Sequence, residues 1–571
     1  MRWIIGERDA DAEARLRKEL GVPSLVAAVL VQRGYREPEE ADRFLNPSLS
    51  HLHDPRELPD YAAARDAILG ARERKERIYV HGDYDVDGVT SSAIFGRFLK
   101  AAGCDVHVHV PHRMKEGYGI HLNAVKEAQE LGTNLFLTCD CGGTAHVQVD
   151  AAREAGMTVV VTDHHTLDEA LPNAHAVVNP HRDDSRYPFD ELSGAGVAFK
   201  LCEGLCRELE LPVGKFYDHY LDLAALGTIA DVMPLTGENR IIAKFGLKAL
   251  AQTRKAGLQA LMEVAGVDPS KGVTAYHVGF LLGPRLNAAG RIDDAALASR
   301  LLLTKDMEEA RALATEIDAI NLDRRMRQEM IVQQAVTMVE SSGAAEQNVI
   351  MVASEEWHSG IVGIVAGKLV ERFNRPAFVM TVNTKTGMCK GSGRSIKTFD
   401  LASTIRAFPD LVSGGGHAAA AGCAFPYDRL EDVRKAFHDF ASNVLTPEDL
   451  EPTMAIDLEV DSAEVTSAAA DALDLLAPFG CGNPKPNFLV RGMRVTQLKP
   501  TKNPQHVKVT FRTPQAGNFP AIAFGMGDRF GASGVDVVTD VVFQPEINEW
   551  QGHRSLQLKV SDYALSEPAV L

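Results

Sequence analysis

The chain has 571 residues, 45% hydrophobic and 24% charged, with eight cysteines and a formal net charge of −17. That length exceeds a single hydrophobic core and calls for three or four domains. The composition excludes a disulfide framework and a membrane span, since no run of about 20 apolar residues occurs, and the acidic excess excludes a surface coated uniformly for nucleic acid.

Residues 1–72 read as helical, with Leu16, Leu20, Leu25, Val29 and Leu30 at helical spacing. The next region, 73–303, alternates. Strands are expected at 77–81, 105–110, 134–139, 157–162 and 176–178, and helices at 90–102, 121–131, 145–155 and 194–209. Strands separated by helical runs imply a parallel sheet. From 236 the region reads as a helical extension. Residues 304–345 form a connector: 305–342 lack Pro and Gly, and a continuous helix there would span about 57 Å. A second α/β region, 346–445, opens with a strand at 348–352, a helix at 359–373 and a strand at 377–380. Residues 446–571 are mostly short strands, ending in the alternating run 555–560. A small barrel of the OB-fold type fits them.

Acidic and histidine motifs stand where predicted strands end. His81-Gly82-Asp83-Tyr84-Asp85-Val86-Asp87-Gly88 follows Ile78-Tyr79-Val80, and Asp140 follows 135–139. Asp163-His164-His165 follows 158–162, and Asp231 closes an apolar segment read as a fourth strand, 221–230. Ligands bind outside the carboxyl ends of such strands. Converging carboxylates repel unless a cation neutralises them, and oxygen ligands with one or two imidazoles suit Mn²⁺ or Mg²⁺. The motifs therefore point to a two-metal site that cleaves phosphoesters. Asp83 is open between a supporting carboxylate and a turn residue. Cys139 and Cys141 lack two further ligands for zinc and read as structural.

The arrangement resembles the DHH phosphoesterase superfamily and, within it, the RecJ family of single-strand-specific 5′→3′ DNA exonucleases. The similarity runs over nearly the whole chain. It implies an α/β protein: a parallel-sheet DHH catalytic domain and a second α/β DHH-associated domain joined by a long helix, plus a C-terminal OB-fold-like β-barrel. It implies metal ligation by His81, Asp85, Asp87, Asp140, His164 and Asp231, with two divalent cations, Mn²⁺ or Mg²⁺. His165 would face the scissile phosphate and Asp163 would orient an imidazole. A water activated between the cations would attack phosphorus in line. Where relatives often have Asp-Cys-Gly-Ile-Ser, this chain has Asp140-Cys141-Gly142-Gly143-Thr144.

Four segments bear on substrate. In Ser413-Gly414-Gly415-Gly416-His417, which resembles the glycine-histidine motif of the DHH-associated domain, Gly415, Gly416 and His417 would bind phosphate, with the alanines after them opening a helix. Ser392 and Arg394 lie in another loop of that lobe, and together these groups would hold a terminal 5′-phosphate. In the RecJ-like run 283–291, Arg285 is expected to contact phosphate across the cleft, with Asn287 beside it. Arg113 and Tyr118 join a basic and an aromatic group in one loop suited to a single strand. The resemblance implies single-stranded DNA as substrate, a single-strand-binding protein and a helicase as partners, and a role in recombination and repair. Sparse cysteines and a charged N-terminus suit a cytoplasmic location. No membrane association is expected, and a monomer is.

Overall fold

A computed structural model describes residues 1–113, 116–117, 119–550 and 552–566. The chain forms two compact units. One contains Asp54–Asp231 and Leu247–Pro452; the other contains Met1–His53, Val232–Gly246 and the chain from Thr453 on.

The first unit is built on a parallel five-stranded sheet, in the order Asp105–His109, Arg77–His81, Leu135–Thr138, Thr158–Thr162, Ala176–Val178. The inner strands are buried along almost their whole length, as expected of a parallel sheet covered on both faces. The strand Arg77–His81 pairs on one side with the next strand in the chain and on the other with the one after it. The strand order therefore reverses there, opening a crevice at the carboxyl end. The strands lie where the apolar runs put them. The segment before Asp231 does not: it is the second half of an 18-residue helix, Val213–Ala230. Its Leu and Ala content favours helix, and almost all of its last three turns are buried, so an apolar run there is not evidence of a strand.

The connector is one helix, Met307–Ser342, about 54 Å long. Asp306 caps its start by accepting from the N–H groups of Glu308 and Glu309, and Gly343 ends it at φ 71°. Its far half, with Ile331, Ala335 and Val339, is part of the core of the next lobe. That lobe has a sheet in the order Ser413–Gly416, Ala420–Pro426, Met388–Arg394, Ala377–Asn383, Ile350–Ser354. The alanines after the glycine run thus turn at Ala418 and Ala419 and enter a strand at Ala420 rather than opening a helix. Gly414 and Gly416 lie at φ 152° and 143°, and a Cβ on Gly414 would sit 2.2 Å from the Gly422 carbonyl. The glycines serve close strand pairing.

In the second unit, Phe488–Pro500, Val507–Thr513, Gly517–Ala523, His553–Leu565 and Val538–Trp550 pair in turn, and the last closes on the first. The result is a closed five-stranded barrel. Residues 1–72 are divided between the units. Arg2–Ile5 pairs in parallel with Thr453–Ile456, and Leu25–Val31 share a core with Phe488, Phe511 and Phe530. The helix Tyr61–Glu73 instead lies on the parallel sheet, where the Asp60 carboxylate accepts from the Val177 N–H at 3.0 Å.

Candidate active site

The crevice collects the acidic groups. Asp85 caps the helix Val86–Ala101 by accepting from the Gly88 N–H, and the next turn turns Asp87 inward. Both Asp87 oxygens accept backbone N–H bonds, from Gly194 at 2.6 Å and Ala195 at 2.9 Å. These are the first N–H groups of the helix Gly194–Glu208, whose positive end favours a carboxylate. The Ser-Gly-Ala-Gly sequence at 193–196 marks this helix start, but nothing in it names Asp87 as partner. A Cβ on Gly194 would sit 2.6 Å from Asp140. Asp140 itself has φ 61°, a left-handed conformation that costs about 1 kcal/mol or more for a non-glycine residue and is typical of functional sites.

Among the described residues, three groups could each offer a cation ligand atoms within 4.8 Å of one another: Asp140, His164 and His165; Asp87, His164 and Asp231; and Asp83, Asp85 and Asp140. His164 Nε2 is 3.1 Å from Asp140 Oδ1 and 3.7 Å from both Asp87 and Asp231. Although close, neither His164 Nε2 nor Asp140 Oδ1 makes a hydrogen bond, and Asp83 Oδ1 is also unpartnered. Ligand atoms about 2.1 Å from one octahedral ion stand about 3 Å apart. Lone pairs aimed at a common point rather than at each other are what a cation requires.

The electrostatics agree. Burial, then repulsion from Asp85, lifts the Asp87 carboxyl to about 7. Burial, then Asp87, lifts Asp231 to about 9, and burial with the neighbouring carboxylates holds Asp140 and Asp83 well above the usual range. Burial, then the His165 charge, pushes His164 down to about 3, so its imidazole is neutral near pH 7. His165 differs. Burial would lower it, but a 2.8 Å bond from Nδ1 to Asp163 outweighs this and raises it to about 9. Asp163 also accepts from the N–H groups of Gly143, His164 and His165.

His81 is fully buried but lies outside the three groups. Its Nε2 is 3.3 Å from the Gly119 carbonyl, its ring stacks against His109 and Phe136, and its Nδ1 has no hydrogen-bond partner. Asp83, left open above, stands in a ligand group instead.

Arg285 does not face the cleft as a free cation. Its Nε donates to Asp318 on the long helix at 2.8 Å and its Nη1 to the Leu281 carbonyl. Asn287 Oδ1 accepts from the Val86 N–H, one residue past Asp85. The other cation of that run is Arg291, for which the sequence carries no distinguishing signal; its Nη1 donates to the Gly360 carbonyl at 3.4 Å. Burial, then Arg113 and Arg324, lowers it to about 10. Burial, then Arg113, also lowers Arg394. Arg113 lies over the Tyr84 ring at 4.8 Å. The Ser392 and Arg394 side chains both lie against Gly363, in the first turn of the helix Val362–Phe373. Gly415, Gly416 and His417 occupy an exposed hairpin. Tyr118 lies outside the described residues.

Residues 77–228 match the DHH family, N-terminal domain; residues 346–443 match the DHHA1 domain; residues 456–562 match the RecJ OB domain. The single-stranded-DNA-specific exonuclease RecJ of Bacillus subtilis is 38% identical, over 99% of this chain and 71% of its own. Crystal structures of RecJ from Thermus thermophilus superpose on the fold. The Mn²⁺ complex has a TM-score of 0.85 at 31% identity, covering 99% of this chain and 80% of the other. The Mg²⁺ complex has 0.78 at 30%, covering 99% and 79%. Full-length identity at this level, with all three domains matched in order, makes the chain a member of the RecJ exonuclease family.

Proposed function

We propose that the chain removes nucleotides from the 5′ end of single-stranded DNA, using two divalent cations and releasing 5′-mononucleotides. Membership of the family makes it a metal-dependent, single-stranded-DNA-specific exonuclease, with Mn²⁺ or Mg²⁺ as cofactor. The observation that carries the two-cation reading is the overlap of the ligand groups at Asp140 and His164. In this reading Asp83, Asp85 and Asp140 hold one cation, and Asp87, His164 and Asp231 the other, with Asp140 within reach of both. His81 backs the site and keeps one nitrogen available to it. Cations held there would lower the pKa of a bound water and offset charge on the phosphate oxygens.

The chain's own groups supply the rest. Gly194 and Ala195 fix Asp87, and Asp163 fixes His165 and keeps its imidazole protonated near neutral pH. His165 then donates to a non-bridging oxygen as charge builds on it. Arg113, Arg291, Arg394 and Ser392 bind the terminal 5′-phosphate. Partly buried guanidinium groups that repel one another suit an anion, and phosphate matches their planar donors. A pocket for the terminus beside the cations sets the polarity.

By family analogy the enzyme works in recombination and repair, with a single-strand-binding protein and a helicase. It is cytoplasmic and monomeric in this reading. No described helix is long and apolar enough to cross a membrane. The test is digestion of one single-stranded oligonucleotide labelled at either end, with Mn²⁺ or with EDTA. Metal-dependent loss from the 5′ end, with the matched duplex spared, supports the reading; loss from the 3′ end overturns it.

A further inference from the structure

Of the three guanidinium groups assigned to the terminal phosphate, two stand on regular elements. Arg291 lies in the helix Gly283–Ile292 and Arg394 ends the strand Met388–Arg394. Arg113 is on the loop that follows the strand Asp105–His109. It is also the charge that the other two share, since after burial it does most to lower each of them. A cation on a loop loses conformational freedom when it grips an anion, unless something already holds the loop.

Glu116 supplies that hold. Its N–H donates to the His112 carbonyl at 2.8 Å, and the Gly117 N–H donates to the Arg113 carbonyl at 3.1 Å. The backbone thus closes a turn that carries Arg113 at its start. The Glu116 side chain closes the same turn a second time: Oε2 accepts from the His112 N–H at 2.6 Å. A carboxylate reaching back to the first N–H of a turn follows the logic of a capping box, and its charge strengthens the bond. The other oxygen, Oε1, faces the sheet, 3.8 Å from His109 Nε2. His109 is fixed in turn. Its Nδ1 lies 3.2 Å from Glu127, which accepts from the Tyr79 hydroxyl at 2.9 Å, and its ring stacks on His81. The far end of the loop is tied separately, where the Gly119 carbonyl meets His81 Nε2.

The brace does not quench the cation. Among the described residues no ion pair joins Glu116 to Arg113; the guanidinium lies instead over the Tyr84 ring, between Asp83 and Asp85 in the chain. We infer that Glu116 is a positioning residue, which locks the turn 112–117 against the sheet so that Arg113 meets the terminal 5′-phosphate already in place. It acts through Arg113 and not on the DNA. The inference rests on the 5′-phosphate reading above.

The test compares the full chain with Glu116→Ala, Glu116→Gln, Arg113→Ala and the double alanine variant. Each is assayed with Mn²⁺ on one single-stranded oligonucleotide bearing either a 5′-phosphate or a 5′-hydroxyl. The unchanged chain should favour the phosphate, and Arg113→Ala should cut that preference about tenfold through KM. Glu116→Ala should cut it about as much, again in KM with kcat little changed. The double variant should lose no more than Arg113→Ala alone, because the two residues act as one unit. Glu116→Gln keeps an oxygen acceptor for the His112 N–H and should recover most of the preference. Melting temperatures should stay close to that of the unchanged chain. An intact phosphate preference in Glu116→Ala, an equal loss on both substrates, or losses that multiply in the double variant would each overturn the inference. If Arg113→Ala keeps the full preference, or the unchanged chain has none, the phosphate reading beneath it falls instead.

Discussion

Asp140 Oδ1 and His164 Nε2 face each other at 3.1 Å inside the crevice without a hydrogen bond between them. Each comes from the end of a different strand, and Asp140 holds its place through a left-handed backbone. Strain, burial and like-charge repulsion are thus concentrated in one carboxylate. Asp140→Asn removes the charge, and Asn tolerates the left-handed conformation better than most residues. The variant should lose more than about 100-fold in kcat/KM. Its metal-free form should melt at a higher temperature than the unchanged metal-free protein. Calorimetry with and without cation checks both signs, and a less stable metal-free variant would refute the strain argument.

The same carboxylates set a pH dependence. Asp87 and Asp231 titrate at about 7 and about 9 in the metal-free fold and near 3.8 when unfolded. Over the window between those values the folded state binds more protons than the unfolded one, so stability falls as pH rises. His164, lowered to about 3, acts oppositely, but only below its unfolded value near 6.5. The metal-free protein should therefore lose melting temperature from pH 7 to 9, and saturating Mg²⁺ should flatten that slope. A slope indifferent to Mg²⁺ would mean that these carboxylates do not take the cation.

Arg285 and Arg291 stand six residues apart in one run and separate what sequence could and could not tell. Both fall among glycine, alanine and asparagine, and spacing gives no reason to prefer either. Only packing shows that Arg285 is occupied by Asp318, with its side chain 13% exposed, while Arg291 is partly buried among cations. Arg291→Ala should cut the preference for a 5′-phosphate over a 5′-hydroxyl about tenfold or more. Arg285→Ala should leave that preference alone and cost about 1 kcal/mol of stability. Competition between phosphorylated and unphosphorylated oligonucleotides decides it; reversed effects would return the phosphate contact to Arg285.

The strand ends were legible for a physical reason. A run such as Thr158–Thr162 is short, β-branched and followed at once by polar ligands, so Asp163 and His164 fall where a parallel sheet places its site. Asp231 follows an apolar segment that is helix, not strand, since a buried Leu/Ala run does not distinguish the two by periodicity. The helix expected after the glycine run is a strand, because glycine fits an anion loop and a tightly paired strand equally well, and only the pairing of Gly414 with Cys423 and of Gly416 with Ala421 shows which element forms. Contacts between distant parts of the chain, such as Asp87 to Gly194, had no local signal.

Gly227 shows how closely that last contact is supported. It sits in the helix that ends at Asp231, and a Cβ there would lie 2.4 Å from Thr90 Oγ1, 2.5 Å from the Ala195 Cβ and 2.6 Å from Asp87 Oδ1. All three neighbours are buried, so none can move into solvent. Gly227→Ala removes helix-disfavouring backbone freedom, which alone would stabilise by about 1 kcal/mol, but it wedges apart Asp87 and the Gly194–Glu208 helix start. Overpacking of this kind costs about 1–3 kcal/mol, so the two effects oppose and the packing term should win. The expected outcome is a modest fall in melting temperature with a larger loss of cation affinity, about 10- to 100-fold, because Asp87 is displaced from its N–H partners. Titration of the variant with Mn²⁺, followed by the rise in melting temperature, measures both. Unchanged affinity would show that the Gly194 and Ala195 bonds do not hold Asp87 in position.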